Sequence, residues 1–184
     1  MIYEVIKLKS VFPDAPIGEE ATVKVYAREN SKEINLSRRY PTMVVCPGGG
    51  YGFVSDRESE PVALRYLEAG FTVLVLTYSV APVGRYPMQL LEVSAAVALA
   101  RRNADRWNVD TEKIAVTGFS AGGHLAAHIG TDWNQPMIAE KLGIEAGENK
   151  PNALVLCYPV ITSGEFAHQG SMTNLNGGQG LDPD

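Results

Sequence analysis

Five residues of this chain have the types and spacing of an activated nucleophile: Gly118-Phe119-Ser120-Ala121-Gly122 fits Gly-x-Ser-x-Gly. A serine hydroxyl attacks an acyl carbonyl only when a sharp turn holds it out and a base removes its proton. Small residues around Ser120 permit that turn, because a strand must bend abruptly into a helix in a strained backbone conformation. The flanking sequence suits it: KIAVT before the motif is strand-like, and AGGHLAAHIG opens a helix. A Gly-rich turn without chemistry is the other reading, and the strand-to-helix context favours the nucleophile.

A second stretch, Cys46-Pro47-Gly48-Gly49-Gly50-Tyr51, follows the apolar run MVVC directly. Three consecutive glycines can aim their backbone N–H groups at one point, as the oxyanion of a tetrahedral intermediate requires. Gly48, Gly49 and Gly50 are therefore candidate oxyanion donors, and Tyr51 a candidate pocket residue whose other reading is packing. His124 and His128 stand four apart, as in a metal-binding pair, but HLAAH lacks the Glu of His-Glu-x-x-His and has no third ligand. No metal and no cofactor are expected. Asp56, Arg57 and Glu58 read as a solvated, mixed-charge loop.

Elements that could position these motifs follow from hydrophobic patterning. Residues 2–8 and 21–27 alternate apolar with polar side chains, as half-exposed antiparallel strands do. MVVC (43–46), FTVLVLTY (71–78), KIAVTG (113–118) and ALVLCYP (153–159) are nearly continuous apolar runs, the mark of strands buried on both faces. Helical stretches at 61–69 and 87–103 separate them, the second with Met88, Leu91, Ala95 and Leu99 on one stripe. The fold class is α/β, a mostly parallel sheet with helices on both faces. Residues 163–184 read as a loop or disordered tail, rich in Gly, Ser, Asn and Asp.

A chain of 184 residues with 45% hydrophobic content fits one domain. A net charge of -5 with scattered Lys and Arg excludes a basic field, so nucleic acid is not an expected partner. No window approaches the roughly 18 apolar residues of a membrane span, and the N-terminal residues lack the apolar core of a secretory signal. A cytoplasmic protein without a membrane partner is the expectation. Cys46 and Cys157 end strand-type runs and are expected as small buried hydrophobes rather than a disulfide.

Three stretches occur together in one order: PGGGY at 47–51, TYSVAP at 77–82 and GFSAGGHLAA at 118–127. On these motifs the chain resembles the α/β-hydrolase superfamily, near the bacterial acetylxylan and feruloyl esterases and the hormone-sensitive-lipase-like carboxylesterases. The resemblance covers nearly the whole chain. It implies that Ser120 is the nucleophile, with oxyanion donors from the N–H of Ala121 and of one or two among Gly48, Gly49 and Gly50. It also implies a serine carboxylester hydrolase that removes small acyl groups, such as acetyl groups of carbohydrate esters, with a small-molecule ester as substrate.

In this superfamily the acid and histidine follow the serine, each after a later strand. No apolar run follows ALVLCYP, so the domain reads as an incomplete α/β-hydrolase domain over 1–184. His124 lies on the elbow helix and would point along it. His168 reads as a rim residue, and Asp182 and Asp184 have no strand to hold them. The alternative is a catalytically incomplete fragment or a non-catalytic binding module of the same fold. The strand edge left by ALVLCYP would then favour self-association.

Overall fold

Alternation between apolar and polar side chains shapes the first two strands, β1 (Ile2–Lys7) and β2 (Thr22–Ala27), which pair antiparallel. Leu8, which continues the alternation in sequence, instead begins a one-turn helix, α1 (Leu8–Val11), and is buried. There follow β3 (Tyr40–Cys46), α2 (Glu60–Glu68), β4 (Thr72–Thr77), α3 (Met88–Arg102), α4 (Ala104–Trp107) and β5 (Val109–Phe119). The chain continues through α5 (Ala121–Asp132), α6 (Pro136–Leu142), β6 (Ala153–Cys157) and α7 (Gln169–Leu175). The structure, a computed structural model, describes residues 1–177. Asp182, Asp184 and the end of the 163–184 stretch lie outside the described residues.

The six strands lie in the order β1-β2-β4-β3-β5-β6. β2 joins β4 antiparallel, whereas the pairs β3–β4, β3–β5 and β5–β6 are parallel. This is the mostly parallel α/β sheet that the apolar runs imply. Its two faces separate cleanly by side-chain parity. Val44, Cys46, Leu74, Leu76 and Val116 pack with α3 and α5, while Met43, Val45, Val73 and Val75 pack on the α2 side.

Three expectations change in the folded chain. α3 was expected to bury one stripe, yet residues 89–100 are all buried. Its contacts with the sheet, α1, α5 and α6 surround it, and its many alanines allow that close packing. β6, expected to be buried on both faces, is exposed: Leu154, Val155 and Leu156 keep 38%, 40% and 42% of their surface. It has β5 as its one strand neighbour among the described residues, with α5 against one face. Finally, the stretch read as tail from residue 163 contains α7, whose first turn His168 caps by accepting the Ser171 N–H.

The connectivity creates one crevice. β3 passes through α2 to β4 on one side, and the chain then crosses back through α3 to β5 on the other side of β3. Loops leaving β3 and β5 therefore diverge at a topological switch point, where open α/β sheets bind ligands. Cys46 pairs in register with Gly118. The glycine loop and the serine turn thus leave the sheet side by side.

Candidate active site

Steric necessity fixes the turn that carries Ser120. A Cβ on Gly118 would lie 1.9 Å from the Gly122 carbonyl oxygen, and one on Gly122 would lie 2.0 Å from that of Cys46. Only glycine allows the elbow helix to approach the end of β3 this closely. Ser120 has φ 53° and ψ -117°, a conformation that costs of order 1–3 kcal/mol for a residue with a side chain. Three backbone hydrogen bonds hold it there. Its N–H donates to Cys157 O at 3.0 Å, and its carbonyl accepts the N–H groups of His124 at 3.0 Å and Val160 at 3.2 Å.

Beside this turn the glycine loop reverses its backbone, with φ 126° at Gly49 and 61° at Gly50. Such values are open to glycine at little steric cost. Neither the Gly49 nor the Gly50 N–H has a hydrogen-bond partner among the described residues, and the same holds for Ala121 N–H at the head of α5. Gly48 differs, because its N–H already donates to Glu58 Oε2 at 2.7 Å. Gly49, Gly50, Glu58, Ser120, Tyr158 and His168 all line one cleft of about 510 Å³.

Tyr51, read as a candidate pocket residue, is instead fully buried beneath the loop. Its hydroxyl lies 2.8 Å from His124 Nδ1, and its ring stands edge-on to Tyr78, whose hydroxyl donates to Pro47 O at 2.7 Å. Burial raises the Tyr51 hydroxyl well above its ordinary value, so it stays protonated and donates. Burial, with His128 as a second cause, lowers the His124 imidazole to about 4. His124 is therefore a neutral acceptor for the Tyr51 hydroxyl, and it is not among the residues that line the Ser120 cleft. His128 Nε2 is 3.0 Å from Asp132 Oδ2, and its ring stacks on Tyr86. Among the described residues no group of three or more His, Cys, Asp and Glu is placed to hold a metal.

His168 is exposed and lines the cleft at the head of α7. Its Nδ1 accepts the Ser171 N–H at 3.2 Å and lies 2.8 Å from Ser171 Oγ. With Nδ1 accepting, the ring nitrogen that carries a hydrogen is Nε2. The Ser120 hydroxyl has no hydrogen-bond partner among the described residues. Cys46 and Cys157 are both free thiols, the first buried and the second half-buried.

Two cleft residues gave no signal in the sequence. Glu58, read as solvated loop, is half-buried and bonds to Gly48 N–H through Oε2 and to the Tyr158 hydroxyl through Oε1, the latter at 2.7 Å. That second bond is the main reason the Tyr158 hydroxyl is pushed up to about 12. Asn174 of α7 donates from Nδ2 to Gly50 O at 2.9 Å.

A model of the BD-FAE family matches residues 28–174. Endo-1,4-beta-xylanase B of Butyrivibrio fibrisolvens is 32% identical over 150 residues, covering 76% of this chain and 22% of that protein. Acetylxylan esterase of Xylanibacter ruminicola is 31% identical over 140 residues, covering 75% of this chain and 26% of that protein. The solved acetyl ester-xyloside bifunctional hydrolase from Caldicellulosiruptor lactoaceticus is 34% identical with a TM-score of 0.80, covering 98% of this chain and 65% of that one. The chain thus spans less than two thirds of each of these proteins. No helix among the described residues is long and apolar enough to cross a membrane.

Proposed function

This chain belongs to the BD-FAE family and has the α/β-hydrolase fold, and from that premise we propose that it is a serine hydrolase of carboxylic esters acting through an acyl-enzyme on Ser120. One observation carries the reading: a strained Ser120 heads α5 in the same cleft as two glycine N–H groups without partners among the described residues.

In the proposed reaction Ser120 Oγ forms a bond to the ester carbonyl carbon, and its proton passes to a base. The carbonyl π electrons move onto oxygen, where the N–H groups of Gly49, Gly50 and Ala121 stabilise the charge. Gly48 is left out of this set because Glu58 holds its N–H. Collapse of the intermediate breaks the bond to the alcohol, which leaves with a proton. Water then cleaves the acyl-serine to a carboxylic acid and free Ser120. None of the described residues hydrogen-bonds the Ser120 hydroxyl, so they supply no base in place. Similarity to the acetylxylan esterase and the acetyl ester-xyloside hydrolase supports small acyl esters of carbohydrates as the substrate class.

The test is mass spectrometry of the intact protein after exposure to p-nitrophenyl acetate, beside Ser120→Ala. The expected result is one added acetyl group, mapped to the peptide containing Ser120 and missing from the variant. Equal labelling of both proteins would refute the nucleophile. It would favour the second reading, a non-catalytic binding module, for which the unpartnered Ser120 hydroxyl is the specific observation. Comparison of acetyl esters with prolyl amides separates an esterase from a peptidase of the same fold.

A further inference from the structure

A carboxylate beside an oxyanion site is a costly neighbour, because its charge opposes the charge that develops there. Glu58 nonetheless reaches into the cleft from a short 3-10 turn, Asp56–Glu58. Its two oxygens are both engaged, one by Gly48 N–H and the other by the Tyr158 hydroxyl. Gly48 belongs to the loop after β3, and Tyr158 directly follows β6. One side chain therefore joins two loops that flank Ser120.

Several details make this a clamp rather than a surface contact. The turn carrying Glu58 is fastened to the same glycine, since Ser55 N–H donates to Gly48 O at 2.9 Å and Glu58 N–H donates to Ser55 O at 3.2 Å. A Cβ built on Gly48 would lie 2.7 Å from Glu58 Oε2 and 3.2 Å from Ser120 Cβ, so only that glycine separates carboxylate and serine. Tyr158 has φ 37°, and its ring centroid lies 6.0 Å from that of Phe119, the residue before the nucleophile. At the other end of the loop, Asn174 holds Gly50 O. The loop is thus tied at Gly48, at the Gly49 carbonyl, which accepts the N–H groups of Gly52 at 3.0 Å and Phe53 at 3.2 Å, and at the Gly50 carbonyl, while the Gly49 and Gly50 N–H groups have no partner among the described residues.

We propose that Glu58 is a positioning residue for the oxyanion loop: by holding the Gly48 N–H and the Tyr158 hydroxyl together, it orients the Gly49 and Gly50 N–H groups toward the substrate oxygen beside Ser120. Its kinetic consequence rests on the hydrolase reading of Ser120, whereas its structural consequence rests on the Gly48 hydrogen bond alone.

The experiment pairs two readouts on wild type, Glu58→Ala and Glu58→Gln. First, the p-nitrophenolate burst gives the rate constant for acetylation of Ser120. Glu58→Ala should slow it roughly 10²-fold, the scale of a lost oxyanion donor, with about a twofold change at most in half-saturating ester. Glu58→Gln should stay within roughly fivefold of wild type, because its carboxamide oxygen still accepts Gly48 N–H. An unchanged Glu58→Ala overturns the proposal. So does a Glu58→Gln as slow as Glu58→Ala, since charge rather than the hydrogen bond would then matter.

Second, hydrogen exchange of the Gly48 amide, followed by NMR, needs no activity. Protection is expected in wild type and Glu58→Gln and lost in Glu58→Ala. An unprotected wild-type amide, or equal protection in all three, overturns the clamp. If Ser120→Ala gives the same burst as wild type, the hydrolase reading falls and exchange still decides Glu58. Should Glu58→Ala fail to fold, Tyr158→Phe removes a single hydroxyl and is read by both assays. Unchanged acetylation and unchanged Gly48 exchange in that variant overturn the proposal.

Discussion

Replacing Gly122 by alanine tests how closely the elbow helix is pressed on the end of β3. The new Cβ would sit 2.0 Å from Cys46 O and 2.4 Å from Pro47 O, whereas ordinary contact begins near 3.4 Å. Both obstacles are backbone, so α5 and the glycine loop must part by more than about 1 Å. Overpacking of this kind costs typically 1–3 kcal/mol, and backbone against backbone places it at about 3 kcal/mol. For a domain of this size each kcal/mol lowers Tm by about 2–4 °C, which gives a drop of roughly 6–12 °C. The matched control is Gly130→Ala on the same helix. Its Cβ meets Leu154 Cδ1 at 2.3 Å, but that atom ends a flexible side chain on the exposed strand β6. Leu154 can change rotamer, and removing a helical glycine returns up to about 1 kcal/mol. Calorimetric melting of the two variants should therefore show a large drop for Gly122→Ala and a change near zero for Gly130→Ala. A Gly122→Ala protein melting within about 2 °C of wild type would refute the close contact, and equal drops would refute the distinction between backbone and side chain.

The hydrogen bond between buried Tyr51 and half-buried His124 predicts an acid-dependent loss of stability. His124 is lowered from 6.5 to about 4 in the folded chain, so between these values the unfolded chain binds a proton that the folded one refuses. Stability contributed this way is intact above pH 6.5 and falls as pH drops toward 4. The full shift, discounted for partial solvation of the ring, corresponds to about 2 kcal/mol. Urea unfolding near pH 7 and near pH 4.5 should show wild type losing about 1.5 kcal/mol more than His124→Asn, because pH 4.5 covers most of the shift, and parallel losses would contradict it. Glu92, buried on α3, accepts the N–H groups of Gly18 at 2.9 Å and Ser79 at 2.7 Å, together with the Ser79 hydroxyl at 2.5 Å. In Glu92→Gln either orientation of the amide leaves one of those backbone N–H groups facing a donor. The variant should lose about 2 kcal/mol in urea unfolding at neutral pH. A loss under about 0.5 kcal/mol would mean that the three-donor arrangement is not what holds this carboxylate.

The serine turn was legible in the sequence because its constraints are short-range. Gly118 and Gly122 contact each other across the turn they flank, so the motif itself states its steric requirement. Nearly continuous apolar runs likewise marked β3, β4 and β5, which have a strand neighbour on each side. β6 is as apolar a run as β4, yet β4 lies between β2 and β3 while β6 has β5 as its one strand neighbour among the described residues, and no property of ALVLC records that difference. Tyr51 was misplaced for a similar reason: it turns inward because His124, 73 positions away, stands beneath it. Glu58 is the sharpest case. Its two partners are 10 and 100 residues distant, and in one dimension a clamp and a solvated charged loop have the same composition. A physical rule nonetheless points to such residues. An oxyanion loop must leave some N–H groups without partners for the substrate while the rest of the loop is tied down. A run of glycines meets the first requirement and works against the second, because its backbone has the greatest freedom of any sequence. The restraint has to come from outside the run: Ser55, Gly52, Phe53 and Asn174 donate to its carbonyls, and the Glu58 carboxylate is the group that holds an N–H of the run, that of Gly48.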